Sequence, residues 1–133
     1  MSEWLLNQAF PSSQAIFQGL VDELAAAQQR SYAFAELLEF LAPLDAGRFE
    51  AAVCEPPGAR LDPYWQNYLA ATLEQAAVSK QAKAPSWTRD ITPLDEPVFG
   101  SSLESLRLHL LLNSPPAFAR RNIFIDASVG ERV

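Results

Sequence analysis

The chain has 133 residues, 49% of them hydrophobic and 11% aromatic, with a formal net charge of -6 and one cysteine. That length and apolar content suit a single domain, residues 1–133, which can bury about two thirds of its unfolded surface without help from a disulfide or a metal. The acidic balance works against a broad phosphate-binding surface and against an anionic membrane face, because both depend on clustered Lys and Arg.

In chain order, Trp4, Leu5, Leu6 and Phe10 are apolar enough to pack. The opening MSEWLLNQAF has neither the basic region nor the apolar run of a secretory signal. Nothing approaches the roughly 18–20 apolar residues of a membrane span. A lone cysteine cannot close an internal disulfide, which fits a reducing compartment. The expected location is therefore cytoplasmic.

Pro11 and the Ser12-Ser13 pair mark a helix start. Ile16, Phe17, Leu20, Val21 and Leu24 then recur at helical spacing, which predicts a helix over 13–29. Ser31 is the expected cap of a second helix, whose apolar face is Phe34, Leu37, Leu38 and Leu41 and whose stop is Pro43. Asp45 suits the cap of a short third helix carrying Phe49, Ala52 and Val53. Glu55-Pro56-Pro57-Gly58 breaks that pattern.

Asp62-Pro63 is the clearest start in the chain, an N-cap followed by proline at the first helical position. Tyr64, Trp65, Tyr68, Leu69, Thr72, Leu73, Ala76 and Ala77 extend it to about residue 79. Lys80 and Lys83 sit where cations suit the negative end of the helix dipole. Over 84–100, closely spaced prolines alternate with Trp87, Ile91, Leu94, Val98 and Phe99. This predicts an ordered, irregular wrap, since a flexible linker is poor in large apolar groups.

Ser101-Ser102-Leu103-Glu104 has the capping-box pattern and opens a leucine-rich helix over 101–113. Its leucines cover most of the circumference, so it is either central to the core or covered by a partner. Ser114-Pro115-Pro116 restarts a short helical turn through Arg121, Ile123-Phe124-Ile125 reads as extended, and Asp126 caps a last turn. The expected fold is all-α: a compact bundle of about five helices, an irregular Pro-rich wrap and a short extended C-terminal segment.

Catalytic chemistry finds few residues to use. Metal sites need several His, Cys or carboxylate ligands in reach, and His109 and Cys54 are the only residues of their kinds. Asp22-Glu23 and Asp95-Glu96 read as solvated acids. His109, set among leucines, reads as a space-filling histidine and not as a base. Cys54, after Ala51-Ala52-Val53, reads as a small core residue and not as a reactive thiol. The five glycines are scattered and form no phosphate cradle. Helical HEPN ribonucleases carry an Arg, a spacer of four to six residues, and a His; here Arg107 is too near His109 and Arg89 too far. No enzyme activity, cofactor or metal is expected.

Positive charge concentrates in the last third, at Arg107, His109, Arg120, Arg121 and Arg132. Arg120-Arg121 can brace the chain, contact a partner protein, or touch phosphate. The helix at 45–54 carries only Arg48 and that at 62–79 is basic only at its end, so neither has the basic face of a recognition helix.

The run Trp87, Glu96-Pro97-Val98-Phe99, Ser102 to Arg107, and Ser114-Pro115-Pro116-Ala117-Phe118-Ala119-Arg120-Arg121-Asn122-Ile123-Phe124-Ile125-Asp126 resembles the C-terminal segment of a group of small, largely uncharacterised bacterial proteins. The resemblance covers about residues 60–133. Some members of that group carry an Xre-type DNA-binding domain in front of the segment. They are commonly encoded beside a nucleotidyltransferase-like protein, in pairs that look like toxin–antitoxin modules. The resemblance implies an antitoxin or accessory role with such a toxin as partner. This sequence has no such DNA-binding domain in front of the segment, so transcriptional autoregulation is not part of the expectation. The resulting expectation is a non-enzymatic protein-binding module, with Phe118, Arg120, Arg121 and Phe124 as its contact residues, since aromatics and arginine dominate binding hot spots. The alternative is an acidic nucleic-acid-associated regulator using Arg120 and Arg121.

Overall fold

Three short polar side chains set three of the helix starts in a computed structural model that describes residues 12–99 and 114–125. Ser12 accepts a hydrogen bond from the Ala15 amide (3.1 Å) and opens α1, Ser13–Ala26. Asp45 accepts from Arg48 (2.8 Å) and opens α3, Ala46–Val53. Asp62 accepts from Trp65 (2.9 Å), with Pro63 at the first position, and opens α4, Pro63–Lys80. Each carboxylate or hydroxyl satisfies an amide that has no carbonyl partner in the first turn.

Helix α2, Arg30–Leu41, starts differently from the expectation. Ser31 lies inside its first turn, and Gln29, which precedes the helix, makes no side-chain capping bond. Helix α1 also ends three residues earlier than expected, because Ala27 leaves the helix for an extended conformation (φ -71°, ψ 141°). The reversal between α1 and α2 is therefore built by backbone torsion, without glycine or proline to announce it. At the far end of α4, Gln81 takes a left-handed conformation (φ 56°) and its amide bonds back to Ala77 and Val78. Lys80 lies in the last turn of α4, as expected, and also reaches beyond its own helix. Its ammonium donates to the Ala42 and Leu44 carbonyls (3.0 and 2.7 Å), just beyond α2.

The fold is mostly helical, as expected. Helix α1 packs on α2 and α3, and α4 packs on α3. Phe17, Val21, Leu24, Leu37, Leu41, Phe49, Val53, Leu69 and Leu73 meet in the main core, each 1% exposed or less. Each such side chain contributes roughly 1.5–3 kcal/mol on burial. After α4 the chain turns through a 3-10 helix, Ser86–Asp90, whose Trp87 enters this core and donates its indole N–H to the Val53 carbonyl (2.8 Å).

A second, smaller core lies on the other side of α4. There Ala71 packs with Ala117, Phe118, Ile123 and Ile125. Phe118 sits on the short helix α5, Pro116–Ala119, edge-on to Tyr68 at 5.2 Å. The chain then passes through Asn122 (φ 64°) into β2, Ile123–Phe124, which pairs in parallel with β1, Val98–Phe99. Val98 faces Ile123 and Phe99 faces Phe124, whose rings stack at 5.1 Å. The Pro-rich wrap thus contributes a strand that its irregular composition did not announce. The leucine-rich segment 101–113, with its capping box and His109, lies outside the described residues, as do residues 1–11 and the last turn from Asp126.

Candidate functional site: a proline-walled groove and the clasp behind it

Arg121 sits at the centre of a buried polar network. Its side chain is 7% exposed and that of Glu74, on α4, 15% exposed. The guanidinium Nε and Nη2 donate to the two Glu74 carboxylate oxygens at 3.2 and 3.0 Å. The second Nη2 hydrogen goes to the Thr88 carbonyl at 2.7 Å. Nη1 donates to Asn67 Oδ1 at 3.0 Å and to the Ile91 carbonyl at 3.4 Å. A guanidinium has five N–H donors, and all five are used.

Asn67, itself fully buried, passes the network on: its Nδ2 donates to the Pro63 and Thr92 carbonyls at 2.9 and 3.0 Å. Asn122 adds a second clasp, donating from Nδ2 to the Leu94 carbonyl at 2.6 Å. The Leu94 amide in turn donates to the Arg121 carbonyl (3.4 Å), and the Val98 amide to the Asn122 carbonyl (2.8 Å). The three residues Asn67, Arg121 and Asn122 therefore hold segment 88–98 against α4.

That segment forms one wall of a groove. The opposite wall is the Pro56-Pro57 loop and the approach to α4 through Ala59, Leu61 and Pro63. The groove encloses about 660 Å³ and is floored by Leu61, Leu69, Trp87, Ile91 and Leu94. A volume of this size falls within the range of binding clefts. The Pro56 wall is also held by a side chain. Gln18, on α1, donates to the Glu55 and Pro56 carbonyls (3.2 and 3.3 Å) and accepts from the Gly58 amide (3.2 Å). Both walls are thus set by side-chain bonds to backbone.

The polar lining is Gln66, Asp90, Thr92 and Asp95, and no described lining residue is cationic. Nor does any described group of three or more His, Cys, Asp or Glu residues cluster to hold a metal ion. Burial, and after it the Asp62 carboxylate, pushes the Tyr64 phenol above its ordinary value, so that hydroxyl stays protonated near neutral pH. Cys54 is exposed, in contrast to the expected core position. It follows the last residue of α3, so the helix stripe that buries Ala52 and Val53 does not include it.

The four residues expected to contact a partner are placed unequally. Phe118 is 1% exposed, Arg121 6% and Phe124 7%, all covered within the chain. Arg120, one residue before Arg121, is exposed. The motif that suggested a contact surface acts inside this chain as the clasp that shapes the groove. The groove itself escapes sequence reading because its walls come from three separate stretches, about 56–63, 66–69 and 87–95. The only local signal is the recurrence of Pro among apolar residues in the first and last of these. Among the described residues no helix is long and apolar enough to cross a membrane. Comparisons with family models, curated proteins and solved structures returned no match.

Proposed function

We propose that this chain is a non-enzymatic, cytoplasmic protein-binding module, the antitoxin or accessory partner of a nucleotidyltransferase-like toxin. The observation that carries the reading is the preformed groove: an apolar floor, two independently braced walls and an exposed polar rim. Pre-organised clefts of this kind bind without the ordering cost that a loose surface incurs. The acidic charge of the chain suits a basic partner and steers it electrostatically. The resemblance of residues 60–133 supplies the class of partner. Phe118, Arg121 and Phe124 hold the binding face in shape, and Arg120 beside them stays exposed.

The test is co-expression with the product of the adjacent gene. A stable complex on size exclusion, together with relief of that product's toxicity, is the expected result. Partners that elute separately, with toxicity unchanged, would reject the reading. Of the two arginines of the nucleic-acid alternative, Arg120 is the accessible one, since every donor of Arg121 is occupied within the chain.

A further inference from the structure

The groove is short of hydrogen-bond donors. Proline has no amide hydrogen, and four of the lining residues, Pro56, Pro57, Pro63 and Pro93, are prolines. Several of the donors that the lining does possess are engaged already. The Trp87 indole bonds to Val53 and the Gln66 amide to Leu61 (2.8 and 2.9 Å). The backbone amides of Ile91 and Leu94 bond to the Thr88 and Arg121 carbonyls (both 3.4 Å).

Acceptors, by contrast, are in supply. Asp90 and Asp95 are exposed and take part in no salt bridge among the described residues. An ionised carboxylate is acceptor-only. A surface that is apolar below and lined at the rim by two carboxylates and no cation selects an occupant with the opposite properties.

We infer that the groove takes an extended segment of a partner protein in which an arginine or lysine is flanked by proline or aliphatic residues. The apolar side chains fill the floor over Leu61, Leu69 and Leu94. The cation donates to Asp90 and Asp95 at the rim. This inference rests on the partner-binding reading above and adds to it the surface and the chemistry of the contact.

The probe is an array of end-capped decapeptides that vary independently in charge and in aliphatic and proline content, incubated with the full 133-residue chain. Peptides combining Arg or Lys with Pro, Leu or Ile are expected to be retained. In solution, the best of them should lose about tenfold in affinity for Asp90→Asn with Asp95→Asn, the size of one or two charge-assisted hydrogen bonds. Both acids are exposed, so the double variant should keep the wild-type melting profile. Thr92→Trp, which fills the groove from its exposed rim, should abolish binding.

Retention of acidic or neutral peptides equally well, retention of none, or unchanged binding by the double variant would overturn the inference. A concentration-dependent dimer dissolved by Thr92→Trp would seat a second copy of the chain there and overturn it too. The co-expression experiment fails or succeeds separately. A partner that binds the double variant as tightly as wild type removes the groove but leaves the module. Peptides retained without a neighbouring partner remove the antitoxin reading but leave the groove.

Discussion

Arg120 and Arg121 are adjacent and chemically identical, yet one is exposed and the other is enclosed. Nothing local separates them. The difference is made by Glu74, 47 residues earlier in the chain, whose carboxylate faces the Arg121 guanidinium on α4. Removing one member of a buried pair strands the other, which typically costs about 3–5 kcal/mol. Arg121→Met should therefore lower stability by about that amount in a urea melt, while Arg120→Met should stay within about 0.5 kcal/mol of wild type. Arg121→Lys should recover little, because an ammonium cannot reproduce a planar five-donor fork. Glu74→Met combined with Arg121→Met should be milder than the sum of the two single changes. An Arg121→Met variant that melts with wild type would dissolve the clasp as described.

At the scale of elements, helix starts are legible in the sequence where a side chain does the capping. Ser12, Asp45 and Asp62 each carry a bond visible from residue type and spacing alone. The start of α2 is not legible, because no side chain caps it and a serine one residue inside the helix offers a false signal. The β1–β2 pair is half legible. Ile123-Phe124 has strand composition, but Val98-Phe99 is too short and too close to proline to be told from coil without its partner. Asn122 links α5 to β2 in a left-handed conformation that asparagine tolerates better than most residues. Asn122→Gly should lose only the side-chain bond to Leu94, about 1 kcal/mol. Asn122→Ala should lose that bond and also incur about 1–2 kcal/mol of backbone strain. Thermal melts should thus rank wild type above glycine above alanine; alanine at or above glycine would contradict the assigned backbone.

For the whole molecule, overall helicity and the main core follow from periodicity, since Phe17, Val21, Leu24, Leu37 and Leu41 recur at spacings that only a helix brings to one side. The groove does not follow, because its walls belong to three stretches that become neighbours only after α4 has packed. The acids that read as a solvated face, Asp22-Glu23 and Asp95-Glu96, are indeed exposed, but Asp95 rims a groove together with Asp90, and that context is tertiary.

The clasp also has a consequence for how the molecule opens. Segments 87–99 and 114–125 are joined to each other by a parallel strand pair and by the Leu94–Arg121 and Asn122–Leu94 bonds, and to α4 by the Arg121 fork. The Leu94 and Val98 amides, which bond across from one segment to the other, cannot stay protected once either segment detaches. They should form one foldon, exchanging amide hydrogens with a common opening free energy and separately from α1 and α2. Native-state hydrogen exchange on the amides of Leu94, Val98 and Arg121 should report that shared value. In that case the groove is gated by a cooperative unit: its wall is either fully present or fully gone, and ligand binding will register as slowed exchange at Arg121, on the side of the wall that no ligand touches.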